Sequence, residues 1–420
     1  MLSRYICALD FTVFKSAKFI LFLTIFIDLL GFGVVIPILP NYVKTLTSSN
    51  FLVGMPVFLF AMTQFFTTPV WGALSDKFGR RPIILVSLMI SSLGYIVFSF
   101  STGLVLLFIA RIFSGVGSGN ISAAQAYISD ITEPKDRAKS MGMIGAAFGL
   151  GFIFGPPIGG FLMEDFGFVS IGIFCAVLCL INLTLAFFFL PESLTKERRQ
   201  ADKKVSILPI SDYKRVLAMK LMPMILLIGF IYVAGFFLFQ IPSTLMWKEH
   251  FKFSDKEIGF IFMFIGVSTA IVQGGLIGLF NKWFGERKLF LWGNILLGIS
   301  VVGIPFVPKD LFVPLELILL FSLAVANGFV GPSALSIVSQ IAPRSEQGVV
   351  MGIYQSVGSL ARAFGPLMGA SLYGLDFRVP YLIALVLYGI NAVLVVYFLR
   401  KLVLHRAVNG ENNTQQDQAA

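Results

Sequence analysis

The sequence predicts an all-α membrane protein: twelve transmembrane helices in two pseudo-symmetric six-helix bundles. Three features carry that expectation: an apolar composition, apolar runs of spanning length, and an internal repeat. Hydrophobic residues are 57% of the chain and charged residues 13%, whereas a soluble domain carries roughly 25% charge. Phe contributes 45 of the 420 residues and Gly 40, and small residues let helices approach closely in lipid. Only lipid can serve as solvent for so much apolar surface. The net charge of +10 would suit a nucleic-acid binder if it formed one basic face. The basic residues are instead dispersed between apolar runs, so the bilayer is the expected partner and nucleic acid is not.

A helical span needs about 20 mostly apolar residues. Such runs fall near 19–40, 51–74, 83–101, 104–127, 141–163, 168–190, 221–245, 257–280, 288–307, 312–337, 349–372 and 379–400. The first is too long for the apolar core of a signal peptide and contains an acid, so it is read as a retained span. Of the 32 Lys and Arg residues, 24 fall on the face that holds the N-terminus, 6 on the other face and 2 within spans. That bias places both termini in the cytoplasm. The expected organisation is a cytoplasmic N-terminus (1–18), an N-terminal bundle (19–190), a cytoplasmic linker (191–220), a C-terminal bundle (221–400) and a cytoplasmic tail (401–420). After Arg406 the tail is polar and is expected to be disordered.

The repeat supports the two-bundle division. At an offset of 210, Met141–Gly160 lies over Met351–Ala370, and Gly142/Gly352, Gly155/Gly365, Pro156/Pro366 and Gly159/Gly369 coincide. At an offset of 206, Gly72–Arg81 lies over Gly278–Arg287, and Gly72/Gly278, Phe78/Phe284, Gly79/Gly285 and Arg81/Arg287 coincide. Two bundles repeated in the same orientation suit a transporter whose halves rock about a midplane site.

Particular motifs then sharpen the reading. Gly72–Pro82 (GALSDKFGRRP) resembles the signature loop of the major facilitator superfamily. Arg111–Asn120 (RIFSGVGSGN) is similar to that family's Arg-x-x-x-Gly-x-Gly element, and Gly145–Gly160 to the glycine-proline motif of its proton-coupled exporters. With Asp28–Pro40 and the LPES at 190–193, the chain resembles the twelve-span drug:proton antiporters, especially the tetracycline-efflux-like branch, over all its spans. The resemblance implies the major facilitator fold, a bacterial inner (plasma) membrane, and a chain that works as a monomer. It implies alternating access and export of small lipophilic or amphipathic compounds in exchange for protons. Export of an endogenous metabolite such as a siderophore, or proton-coupled uptake, are the alternatives. The second copy of the loop departs from the first, with Lys282 in the place of Asp76 and Glu286 in the place of Arg80.

An ionisable residue at a span centre costs about 2.5–3.5 kcal/mol on insertion scales, so each is a candidate for function. Asp28 is about 15 Å deep and Arg111 about 12 Å deep from the opposite surface, at 1.5 Å per residue. Both are therefore near mid-depth, where a pair is geometrically possible. Asp28 is the candidate proton-coupling carboxylate and Arg111 its candidate partner; the alternative is a static interhelical bridge. Glu316, early in span ten, is expected to be a solvated interfacial acid. Arg362 in span eleven either meets an anionic group of the substrate or an acid, or serves structure by bridging or snorkelling. The mid-span polar residues Gln64, Asn120, Gln125, Gln240, Gln273, Asn327 and Gln355 are either interhelical glue or cavity lining. The resemblance puts spans one, four, seven and ten around the cavity, which favours Asn120, Gln240 and Asn327 for the substrate, with Gln355 and Arg362 as further candidates.

The signature loop supplies a candidate cytoplasmic gate: Gly72, Asp76, Gly79, Arg80, Arg81 and Asp130. Gly72 permits close packing and Gly79 a tight turn. Asp76 can cap a helix N-terminus, which the family places near Gly348, and Arg80 can reach Asp130. In span five Gly145, Gly149, Gly155, Pro156 and Gly159 are candidates for close approach and a bend. The two histidines, His250 and His405, are expected in loops, and no metal-ligand cluster, Walker A sequence or nucleophile elbow is present. No metal, cofactor or enzymatic activity is expected. Cys175 and Cys179, one helical turn apart, are not expected to form a disulfide.

Overall fold

The computed structural model describes residues 17–132, 137–195, 197, 199, 210–343 and 346–417. All regular structure among them is helical. Among the described residues ten helices are long and apolar enough to cross a membrane. Arg137–Phe166 and Gln347–Tyr373 are the two further long helices, at the places of spans five and eleven.

Among the described residues three spans are interrupted, two of them with an evident physical cause. Span one runs as Ala17–Val35, turns over 36–38 and resumes as Leu39–Leu46. Pro37 lies in that turn; it has no N–H for the helix and its ring displaces the preceding turn. Span four is Leu104–Gly117, a 3-10 turn Ser118–Asn120, then Ile121–Asp130. Carbonyls at this break are taken up by span two: Trp71 Nε1 donates to Val116 O (2.6 Å) and Gln64 Nε2 to Ser118 O (3.1 Å). Broken backbone survives at membrane depth only where neighbours satisfy it in this way. Span eight carries a π turn, Val272–Leu276, between Asp255–Ile271 and Ile277–Phe284.

The chain forms two compact units, Met1–Pro209 with Ile241–Val267, and Ile210–Gln240 with Ser268–Ala420. In the first, span one packs along span five, and span three against spans four and six. Glycines set the first of these contacts: a Cβ on Gly155 would lie 2.7 Å from Gly33 C, and one on Gly151 2.8 Å from Leu29 C. Ile241–Val267 joins this unit through the same device, since a Cβ on Gly259 would lie 2.6 Å from Pro156 O. In the second unit span nine packs against spans ten and twelve, the counterpart of spans three, four and six in the repeat. Asn391 Nδ2 donates to Asn294 Oδ1 there (2.7 Å), and Ser300 Oγ to Ser322 Oγ (2.8 Å). Large apolar side chains such as Val105, Trp283, Trp292 and Phe188 point outward, as expected of a lipid-facing surface.

One expectation is corrected. Glu316 is not a solvated acid: it is 1% exposed. It falls on the same face of span ten as the buried Leu320, Leu323 and Ala324. The last helix runs Val379–Asp417, so its helical backbone extends past Arg406.

Candidate functional site

Asp28 is buried at 3% exposure, and among the described residues neither carboxylate oxygen has a hydrogen-bond partner. Asn120, at the 3-10 break of span four, is the polar side chain that acts on it, although the Asn120 amide makes no hydrogen bond of normal geometry. Arg111 is also buried at 2% exposure. The structure forms no ion pair between Asp28 and Arg111, so the static bridge is absent. The Arg111 guanidinium lies instead over the rings of Phe60 (4.8 Å) and Phe98 (5.6 Å), a cation–π arrangement that strengthens when desolvated. Tyr95 is within electrostatic reach of both Asp28 and Arg111, and of Cys175 and Cys179. Both cysteines are free and buried. The space beside Arg111, enclosed by Phe32, Val57 and Phe60 among others, is about 10 Å³, which is barely the volume a single water needs.

Arg80 begins span three. Its guanidinium pairs with Asp76 Oδ1 (2.5 Å) and Asp130 Oδ2 (3.1 Å) and donates to Ser75 Oγ (2.6 Å). The expected contact with Asp130 is thus present, and Asp76 pairs with Arg80. The surroundings of Gly348, the expected seat for Asp76, lie outside the described residues. Arg81 donates to Phe187 O (2.5 Å). Gly79 has φ +110°, and a Cβ there would run into the Glu192 carboxylate. Gly72 is less constrained, because a Cβ would stay 3.6 Å from Ser122 Oγ. Glu192, in the LPES segment, was not among the expected gate residues. It accepts from Arg80 N–H (2.9 Å) and Leu194 N–H (3.0 Å) and lies 3.9 Å from Arg199. Tyr127 O–H donates to Pro191 O (2.6 Å). An acid directly following an apolar span is the signal that could have marked it.

In span five, Gly155 and Gly159 meet the Gly33–Val34 backbone, and Pro156 lies against Gly33. Gly149 has nothing within 4 Å of a built Cβ, so close packing does not require it. Gly151 has the role expected of Gly149. The surroundings of Gly145 lie outside the described residues. In the second unit Tyr232 O–H donates to Asn327 Oδ1. Gln240 is buried, while Gln355 and Arg362 line a cavity of about 170 Å³ with Tyr232 and Tyr354. No cluster able to hold a metal occurs among the described residues.

Long apolar helices, a duplicated bundle plan and charges buried inside it define a multi-pass membrane transporter. The sequence profile described as Major Facilitator Superfamily matches residues 21–283 and 241–417, and the chain belongs to that superfamily. Multidrug resistance protein 2 of Bacillus subtilis (strain 168) is 31% identical over 378 residues, covering 88% of this chain and 92% of that one. Tetracycline resistance protein, class C, of Escherichia coli is 30% identical over 371 residues, covering 86% and 90%. The crystal structure of the human organic anion transporter MFSD10 (TETRAN) superposes with a TM-score of 0.69 at 25% identity, covering 90% of this chain and 98% of that one. This family membership makes the chain a transporter of small molecules, not an enzyme.

Proposed function

We propose that this transporter is a proton-driven efflux antiporter. It exports small lipophilic or amphipathic compounds across a bacterial inner membrane by alternating access, as a single chain with both termini in the cytoplasm. The moving bodies are the bundles 19–190 and 221–400, joined by 191–220. The resistance proteins that share 30–31% identity with it support export. The observation that carries the coupling is Asp28, a buried carboxyl with, among the described residues, no cation paired to it and no hydrogen bond on either oxygen. An isolated charge in an apolar interior is costly, and a carboxyl group meets that cost by taking up a proton. A substrate or water that reaches Asp28 releases the proton, and the competition couples the two fluxes. Arg111 and Asn120 set the field around it. Arg80, with Asp76 and Asp130, holds the cytoplasmic gate.

The test uses inside-out membrane vesicles acidified by respiration, with a pH-sensitive dye inside and a panel of cationic, zwitterionic and anionic amphiphiles. At least one compound is expected to collapse the gradient in wild type and not in Asp28→Asn, although that variant is present and folded. Proton-linked transport retained by Asp28→Asn would remove Asp28 from the coupling step.

A further inference from the structure

The internal repeat breaks its symmetry at Arg362. At the 210-residue offset this arginine stands over Phe152. Phe152 packs edge-on against Phe32, with ring centroids 5.9 Å apart, in a helix pair that glycines close tightly. The matching stretch of the second unit opens instead. Tyr232 of span seven, Gly331 of span ten, and Tyr354, Gln355, Gly358 and Arg362 of span eleven line its cavity of about 170 Å³. Residues 354, 355, 358 and 362 recur at helical spacing, so one face of span eleven presents them together.

The arginine is provided with few protein partners. A guanidinium has five N–H donors. Among the described residues its one hydrogen bond is from Nη2 to Ser359 Oγ (2.7 Å), and no carboxylate pairs with it. A largely buried cation without a counter-charge is costly, and an arriving anion removes that cost. Gly358 leaves the approach open, since even a Cβ there would stand 3.7 Å from Arg362 Nη1. The Tyr232 hydroxyl is committed to Asn327, which fixes its ring as a wall. Tyr354 supplies a second aromatic wall. The volume is below the roughly 300–1,000 Å³ of whole-ligand pockets, so it fits a charged end and one ring system.

We propose that this cavity binds an organic monoanion, with a carboxylate or sulfonate seated on Arg362 and an aromatic body against Tyr232 and Tyr354. Only the assumption that the ligand is cargo rests on the transport reading; the binding itself requires neither proton coupling nor export. A carboxylate is favoured by the fork geometry of the guanidinium, which matches two oxygens at once.

The experiment measures equilibrium binding of radiolabelled 2-naphthoate to the purified full chain in phosphatidylcholine nanodiscs, without a proton gradient. Unlabelled 2-naphthoate, 2-naphthalenesulfonate and the neutral 2-naphthamide compete. Both anions are expected to displace the label at least about tenfold more effectively than the amide, a difference of about 1.4 kcal/mol. Arg362→Gln is expected to lose binding by about tenfold or more, and Arg362→Lys by less. Gly358→Leu keeps the charge but fills the cavity and is expected to block binding; it serves if Arg362→Gln fails to fold. Equal competition by the amide, absence of naphthoate binding, or wild-type binding by both Arg362→Gln and Gly358→Leu overturns the proposal. Displacement of naphthoate by phosphatidylglycerol in the nanodisc assigns Arg362 to a lipid headgroup and likewise overturns it. If naphthoate binds but no compound moves protons in vesicles, the antiport reading fails and this one stands.

Discussion

At Arg80, four contacts meet on one residue: its guanidinium holds Asp76, Asp130 and Ser75, and its amide N–H is taken by Glu192. Arg80→Ala leaves two carboxylates facing each other without their shared cation. Breaking a fully buried pair costs about 3–5 kcal/mol, but Asp76 and Asp130 are 20% and 26% exposed, so about 1–3 kcal/mol is expected here. The measurement is thermal unfolding of the purified protein, where a lowered Tm is expected, with Arg80→Lys falling between. An unchanged Tm for Arg80→Ala would mean that these contacts are not holding the loop. The pair Arg80–Asp130 was legible because both charges flank apolar runs. Glu192 was not, because its contact with Arg80 spans 112 residues and no spacing rule connects the two. Asp28 and Arg111 were visible for the same reason, as charges within apolar runs. Their separation was not, because depth along a helix leaves the rotation of each helix undetermined. Nor could the sequence say which of its 45 Phe residues would face Arg111.

Among elements, span five separates glycines that look alike in sequence. A Cβ on Gly155 would sit 2.7–2.8 Å from the Gly33–Val34 backbone, where neither partner can yield without moving a helix. A Cβ on Gly149 meets nothing. Gly155→Leu is therefore expected to part spans one and five, displace Asp28 and lower stability by about 1–3 kcal/mol, the usual cost of overpacking, with loss of transport. Gly149→Ala is expected to transport as wild type, with unchanged or slightly raised Tm, since alanine is the better helix former. Equal effects of the two substitutions in a vesicle transport assay would show that the glycine contact does not position span one. Most helices were legible because some twenty apolar residues leave one structural solution in lipid. The breaks were less so. Pro37 announces its turn, but the 3-10 turn at Ser118–Asn120 contains no proline and depends on Trp71 and Gln64 of another span. The π turn at Val272–Leu276 has only Gly274 and Gly275 as a local sign.

At the scale of the molecule, alternating access requires that contacts at one end of the bundle part during each cycle. In the first unit the end opposite the signature loop is closed by polar contacts. Asn41 Nδ2 donates to Asp255 Oδ1 (3.3 Å), Asp255 pairs with Lys248 (3.0 Å), and Lys256 pairs with Asp165 (2.6 Å). Exposed ion pairs of this kind contribute little individually, which suits contacts that must break and re-form. Beneath them Gly160 is pressed against the Asp255 backbone, so the closure is tight. If this end opens during transport, a covalent link across it must stop the cycle. Cysteines at Asn41 and Asp255, in a chain whose Cys7, Cys175 and Cys179 are replaced, are expected to cross-link on oxidation. Transport in vesicles should fall to background in proportion to the cross-linked fraction and return on reduction. Full transport by quantitatively cross-linked protein would show that this end stays closed throughout. The substrate would then have to leave by a path that does not separate Ile241–Val267 from spans one and five.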